Sequence, residues 1–383
     1  MTPTSFDTPS HDASALQAPL PLLGGISAEA FMRDYWQRQP LLIRQAIGAE
    51  VCLPSRGELF ALAKSEDVES RLVQHHPKQG WQLKRGPFAR LPAQSQPQWS
   101  LLVQGVNLHH SGAHDLMQAF RFVPDARLDD IMVSWASEGG GVGPHQDRYD
   151  VFLLQVHGRR RWRIAPPQDF EMVEGLPLKI IADFQATQEW VLEPGDMLYL
   201  PPLWGHDGVA EGGDCMTCSI GFTVPEAGDL ARELVLRMAE HWEDELLYQD
   251  PDQAATVTPG RIPMALQSFA QQSVERMMQE PLSLACALGE WLSEPKPHVW
   301  FEANEAPWRA QDVRLDAKTK MLYDEHHIFI NGEGFLAQGN DALILHQLAD
   351  QRALSHGVWR ALTPDAQAVM AQWHELGWLH QAA

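Results

Sequence analysis

The stretch GGGVGPHQDRYDVFLLQV, Gly139 to Val156, decides how the chain is read. Its opening glycines suit a phosphate-cradling loop, which must run from a strand into a helix whose N-terminus receives the anion. The residues that follow do not read as a helix. His145, Asp147, Tyr149, Val151 and Leu153 alternate with the other face, which is a strand pattern. No Gly-Lys-Ser/Thr follows, and Pro144 stands where a G-x-G-x-x-G beginning at Gly139 needs glycine. Residues two apart in a strand share a face, so His145 and Asp147 project into one space. An imidazole and a carboxylate placed together suit iron(II) or a similar divalent ion.

Outward from that loop, Leu128 to Val224 has a β texture. IMVSWAS, YDVFLLQVHG, RRWRIAP, EWVLEPGDMLYLPP and CMTCSIGFTV are short apolar or alternating runs parted by Gly and Pro turns. Close spacing without intervening helices predicts an antiparallel sandwich or barrel. EPGDMLYLPPLWGHD sets His206 just after a strand and a turn. A barrel brings that point beside His145, completing a facial triad of two histidines and one carboxylate. Three positions on the ion then stay open, two for a bidentate 2-oxo acid and one for dioxygen. In FLLQVHGRRRWRI the four arginines could line a solvated edge, but alternation puts Arg160 on the face of Trp162, pointing inward. A buried guanidinium needs an anion, and the distal carboxylate of 2-oxoglutarate supplies one bidentately.

The flanks read differently. Ile26 to Ala46 predicts a helix capped by Ser27 and then a short strand. After Pro225 the period becomes helical, with Leu230, Leu234, Met238 and Trp242 on one stripe and an acidic outer face. A second helical tract covers Met264 to Leu292, and EPKPHVWFEANEAPW reads as a linker. The tail from Val313 mixes strands (HHIFIN, Gly377 to Gln381) with helices at Asp341 to Leu354 and Pro364 to Leu376. Residues 1–20 lack a basic start and an apolar core, which predicts a flexible tail rather than a signal peptide.

With 50 Asp plus Glu against 29 Lys plus Arg, the 383 residues carry a formal net charge of -21. That disfavours DNA, RNA or an anionic membrane as a direct partner and favours a basic one. No run of eighteen apolar residues occurs, so no membrane span is expected. Cys215 and Cys218 form a C-x-x-C, but in a strand they point to opposite faces, so reduced cytoplasmic thiols are expected. His75-His76, His109-His110 and His326-His327 read as surface histidines. Glu138, beside the glycine loop, is a candidate contact for a substrate guanidinium.

FMRDYWQRQPLLIRQA, MVSWASEGGGVGPHQDRYDVFLLQVHGRRRWRI and EPGDMLYLPPLWGHDGVA resemble the Jumonji C type of 2-oxoglutarate oxygenase, above all the bacterial ribosomal oxygenases. The resemblance implies an α+β chain: a double-stranded β-helix (jelly-roll or cupin barrel) over residues 21–225, a helical dimerisation region over 226–297, and a winged-helix-like domain over 298–383. It implies iron(II) at His145, Asp147 and His206, with 2-oxoglutarate and dioxygen as co-substrates. The 2-oxoglutarate contacts fall on Arg160 and Ser134, while Thr217 and Ser219 also face inward and leave the completing hydroxyl open. The implied activity is hydroxylation of an arginine β-carbon in large-subunit ribosomal protein uL16, by a cytoplasmic homodimer. A histidyl hydroxylase, a demethylase or a non-catalytic cupin scaffold are the alternatives, and the triad does not separate the first two from arginine hydroxylation.

Overall fold

The computed structural model describes residues 13–48, 52–280 and 282–381, so residues 1–12 of the expected tail lie outside the described residues. The described chain opens earlier than the sequence texture suggests. Ala13–Gln17 is helical, and Pro21–Leu23 forms a turn that buries Leu22 and Leu23. The chain divides into two compact units between Val224 and Pro225.

The first unit is built on ten strands: β1 (Leu41–Ile43), β2 (Ser70–His76), β3 (Gly80–Arg85), β4 (Trp99–Val103), β5 (Leu128–Ala136), β6 (His145–Gln146), β7 (Asp150–Ala165), β8 (Gln188–Leu192), β9 (Met197–Leu200) and β10 (Gly205–Phe222). They pair antiparallel in the order β1-β9-β7-β10-β5-β4-β2-β3, with β6 beside β10 and β8 beside β7. YDVFLLQVHG and RRWRIAP, which read as two strands, are one 16-residue strand, β7. Gly158 bends that strand without ending it. Its φ is +61°, and a Cβ there would lie 2.1 Å from the Asp214 carbonyl oxygen, so glycine lets β7 and β10 turn together. The register with β10 slips at the same place, between Glu211 and Thr217. Each long strand therefore serves both halves of a double-stranded β-helix.

Four short helices accompany these strands: Ala13–Gln17, Ala28–Asp34, Arg56–Leu62 and Ser111–Gln118. Ala28–Asp34 is capped by the Ser27 hydroxyl, which accepts from the Ala30 N–H at 3.1 Å, and it leads into β1 as the sequence predicts. It drives Phe31 into a fully buried aromatic cluster with Trp36, Phe120, Phe152, Tyr199 and Phe222. Truncating one such ring costs about 3–5 kcal/mol. A buried Asp150 ties cluster to sheet by accepting from the Tyr199 hydroxyl (2.6 Å), Gln37 (2.9 Å) and Arg127 (3.2 Å).

In the second unit the helix Ala227–His241 ends before Trp242. The tract read as one helix is two, Met264–Gln279 and Ser283–Ser293, and Leu282 between them has a left-handed φ of 69°. Beyond lie two three-stranded sheets. One pairs β11 (Val313–Leu315) with Ala353–Leu354 and Leu379–Gln381, and the other runs Met321–Tyr323, His327–Ile330, Glu333–Leu336. The helix read to Leu354 stops at Gln351, because Arg352 turns left-handed and the next two residues join β11. Pro364–Glu375 is capped by Thr363, whose side chain accepts from the Ala366 N–H, and Pro364 suits the first helical position. Ile328, Ile330, Leu348, Met370, Trp373 and Leu379 give this part its own core. Among the described residues no helix is long and apolar enough to cross a membrane.

Candidate active site

His145 and His206 face each other across the β6–β10 pair, in direct register. The strand that alternation predicts through His145 is interrupted: the ladder stops after Gln146 and resumes at Asp150. Asp147 thus reaches the site from a loop, not from the shared face of one strand. Its carbonyl accepts from the Leu203 N–H at 2.6 Å, which joins this loop to the turn before His206. Asp147 Oδ2 lies 3.8 Å from His145 Nε2 and 3.5 Å from His206 Nε2, and the imidazole centroids are 4.2 Å apart. One ligand atom from each of the three residues lies within 4.8 Å of the others.

The histidine tautomers follow from their neighbours. Nδ1 of His145 sits 2.8 Å from the Gly143 carbonyl and Nδ1 of His206 sits 2.9 Å from the Trp204 carbonyl. A carbonyl only accepts, so each Nδ1 carries the proton and each Nε2 lone pair turns toward Asp147. Metal-binding histidines are oriented in this way. Burial, aided by the neighbouring His206, lowers the pKa of His145. Burial also opposes ionisation of Asp147, yet the two imidazoles and the Tyr149 hydroxyl hold its carboxyl well below the usual carboxylate range. Burial lowers the affinity of His206 for a proton, but the Asp147 carboxylate outweighs it and raises that pKa. A carboxylate set between two imidazole Nε2 atoms favours a cation at this point, and the donor set fits a divalent ion of the iron(II) type.

The glycines of the loop serve its close approach to its neighbours. At Gly141 a Cβ would lie 2.5 Å from the Gly208 carbonyl oxygen, and at Gly143, where φ is +81°, it would lie 2.6 Å from Ile180. A side chain at Gly141 would push the loop off the strand that carries His206, and one at Gly143 would collide with Ile180 and Trp81.

Deeper in the barrel, alternation along β7 holds. Arg160 and Trp162 are each 5% exposed, while Arg161 pairs with Glu189 and Glu211, and Arg163 with Asp207. Arg160 Nη1 donates to Ser134 Oγ (3.1 Å) and Thr217 Oγ1 (3.2 Å). Ser219 is buried but does not join them among the described bonds. No carboxylate pairs with Arg160 among the described ion pairs, and its Nε and the indole Nε1 of Trp162 are buried donors without a protein acceptor. Buried donors that lack an acceptor thus gather around Arg160, an environment that suits a carboxylate. Gln155, which sequence reasoning passed over, supports it: its Oε1 accepts from Thr217 at 2.9 Å and its Nε2 donates to the His157 carbonyl at 2.7 Å. A polar residue inside the apolar run FLLQV was the available signal.

Other expectations separate here. Glu138 accepts from the Gly213 N–H near the middle of β10, seven residues or about 20 Å of strand from His206. Closeness in sequence to the glycine loop therefore did not carry it to the triad. Cys218 packs in the main core and Cys215 in a separate cluster with Ala136 and Ala210, and both are free thiols on opposite faces, as expected. His327 corrects the reading of surface histidines: it is 5% exposed, with Nδ1 3.0 Å from Asp324.

A double-stranded β-helix holding a His-Asp-His cluster and, below it, a buried arginine define a 2-oxoglutarate oxygenase of the Jumonji C type, a class that uses iron(II), 2-oxoglutarate and dioxygen. The family pattern described as JmjC domain matches residues 115–230, and ROXA-like winged helix matches residues 275–380. The chain is 34% identical over 291 residues to the ribosomal protein uL16 3-hydroxylase of Escherichia coli (strain K12), covering 74% of this chain and 76% of that protein. The X-ray structure of E. coli ycfD superposes with a TM-score of 0.84 at 28% identity, over 93% of this chain and 98% of the other. A structure of YcfD, a ribosomal oxygenase, in complex with cobalt and 2-oxoglutarate superposes with a TM-score of 0.80 at 29% identity, with the same coverage. The chain belongs to the ribosomal oxygenase family.

Proposed function

We propose that this enzyme hydroxylates the β-carbon of an arginine in ribosomal protein uL16, with His145, Asp147 and His206 holding iron(II) and Arg160, Ser134 and Thr217 receiving the far carboxylate of 2-oxoglutarate. The observation that carries the reading is Arg160: a buried cation with hydroxyl partners only, set in the barrel that also holds the triad. Iron(II), when bound, supplies the oxygen activation that side chains lack. The chain supplies position and dryness. The Gly143 and Trp204 carbonyls fix the two rings, and Asp147 stays ionised to offset part of the ion's charge. Val151, Leu153, Trp162, Leu198 and Leu200 form an apolar cluster in the barrel that excludes water. Three ligands leave three open positions, room for a chelating 2-oxo acid and dioxygen.

The uL16 target rests on the E. coli relative and on charge, since a net of -21 suits a basic ribosomal protein. In the winged-helix unit acidic residues also outnumber basic ones, which supports a protein contact there over nucleic acid. Val235, Leu236, Met264, Val274 and Met278 leave exposed apolar surface on the helices after Pro225, the basis for a homodimer. Four free cysteines suit the cytoplasm.

The test is to incubate the purified chain with iron(II), 2-oxoglutarate and uL16 and to map the product by mass spectrometry. One added oxygen on an arginine, with stoichiometric succinate, is the expected outcome. Oxygen on a histidine, or loss of a methyl group, replaces the target while keeping the chemistry. Succinate-free incubation with no modified residue returns the chain to a binding scaffold.

A further inference from the structure

Among the described residues of the first unit, five large hydrophobic side chains are exposed: Leu16, Tyr149, Met172, Val173 and Leu203. Single exposed apolar residues are ordinary on any protein. Their placement here is not scattered, because four of the five stand on loops that carry or brace the triad. Tyr149 lies two residues beyond Asp147, and its hydroxyl bonds that carboxylate. Leu203 lies three residues before His206, and its N–H bonds the Asp147 carbonyl. It holds a left-handed φ of 67°, a conformation that costs leucine and comes cheaply to glycine or asparagine.

Met172 and Val173 belong to a hairpin over residues 171–182, closed by the Met172–Ile181 bridge and by the Val173 and Ala182 N–H groups. This hairpin is fixed to both halves of the site. The Ile181 N–H donates to the Pro144 carbonyl at 2.8 Å, Ile180 packs on Gly143, and Phe170 and Phe184 flank Gly205, the residue before His206. The hairpin buries Ile180 and Ile181 and leaves Met172 and Val173 out, between exposed Glu171 and Glu174.

We propose that Met172, Val173, Leu203 and the ring of Tyr149 form a docking rim for a basic polypeptide, which inserts its target arginine toward the triad while apolar residues beside that arginine pack on the rim. The proposal rests on the hydroxylase reading and adds to it what the enzyme recognises. Charge complementarity selects the occupant: Glu171 and Glu174 border the apolar pair, and the chain as a whole is strongly acidic. The substrate class is thus a cationic segment with at least one apolar residue flanking the target, and net positive charge alone is not enough.

The test uses the full chain, labelled uL16 and two variants, Met172→Ser with Val173→Ser as a pair, and Leu203→Asn, which suits its φ. Binding of uL16 is followed by fluorescence anisotropy, hydroxylation by mass spectrometry, and 2-oxoglutarate affinity by titration. Each variant is expected to raise Kd and KM for uL16 about five- to thirty-fold, the loss of partly burying one or two such side chains, and the paired variant, whose residues do not touch the triad, is expected to keep kcat within about two-fold and 2-oxoglutarate affinity unchanged. A uL16 variant with serine at the apolar residues beside the target should lose a similar factor on the wild type and little more on the paired variant. Unchanged uL16 binding by both variants, or no uL16 binding by the wild type, overturns the proposal. A rim whose substitution abolishes self-association and leaves uL16 binding intact belongs to a second copy of the chain, which also overturns it. If uL16 docks on the rim but gains no oxygen on arginine, the docking surface stands and the hydroxylase target falls.

Discussion

Replacing Arg160 with methionine should move two measurements in opposite directions. In the folded chain its guanidinium is buried with two neutral hydroxyl partners and an unsatisfied Nε, so it carries desolvation without a compensating anion. Methionine fills much of the same volume without that charge. Stability without co-substrate should therefore hold or rise, as when buried charges give way to apolar side chains. Binding of 2-oxoglutarate should fall, because hydrogen bonds to a charged group contribute about 1.5–3 kcal/mol, roughly ten- to a hundred-fold in affinity. Thermal unfolding reads both. At a 2-oxoglutarate concentration of about 100 times the wild-type Kd the ligand stabilises by about 2.7 kcal/mol, while a variant fifty-fold weaker, at the same concentration, gains only about 0.6 kcal/mol. Arg161→Met, next in the strand but half-exposed and paired with Glu189 and Glu211, should keep the wild-type ligand shift. An Arg160 variant that binds 2-oxoglutarate as the wild type does, or one matched in its loss by the Arg161 variant, would refute the assignment of Arg160 to the 2-oxoglutarate carboxylate.

Asp147→Ala and His206→Ala should each abolish succinate formation and iron retention with little change in the far-ultraviolet spectrum, since the ten-stranded sheet does not depend on one ion; full activity with bound iron in either variant ends the metal assignment. A thiol reagent at mildly alkaline pH should label Cys52 first, because it is exposed, whereas burial pushes the Cys218 thiol up to about 12 and that of Cys286, with Glu290 beside it, to about 11. Rapid labelling of Cys218 in native protein contradicts the burial described. Light scattering at tens of micromolar should give a dimer mass, and Leu236→Asp should reduce it toward the monomer while 2-oxoglutarate affinity stays. Turnover of uL16 should fall as salt rises, mainly through KM, because exposed charges are screened beyond about 8–10 Å at physiological ionic strength; a salt-independent KM assigns the acidity to solubility.

What could be read in advance divides along one physical line. Rules that act within a strand survived: Arg160 points inward because Trp162 does, and Cys215 and Cys218 part because three residues is an odd spacing. Proximity across a turn did not survive. Glu138 is close to His145 in sequence, yet the glycine loop runs antiparallel to β10, so His145 meets its start at His206 and Glu138 meets its middle at Gly213. The same limit hid why Asp147 belongs to the site. Its spacing from His145 was right, but the strand behind that spacing is broken at Asp147, and a backbone bond from Leu203 holds the loop instead. Gln155 was illegible for a related reason, since its value lies in a partner, Thr217, that only the β7–β10 register brings opposite it.

That register also explains how one strand serves two tasks. Near its start β10 carries His206 of the His-Asp-His cluster and, after the slip between Glu211 and Thr217, it presents Thr217 to Arg160. A straight strand would carry Thr217 eleven residues from His206, about 36 Å at a normal rise, far beyond the length of any 2-oxo diacid. The bend at Gly158 and its counterpart in β10 fold that distance back into one barrel, as the proposed binding of one 2-oxoglutarate between the triad and Arg160 requires. Gly158→Ala should therefore damage 2-oxoglutarate affinity and iron retention together, although the residue touches neither. Its Cβ would collide with the Asp214 carbonyl at 2.1 Å, and the strand would have to shift at the point where the two sites are joined. A variant that folds and loses only one of the two affinities would show that the sites are built independently, and the bend would then lose the role given to it here.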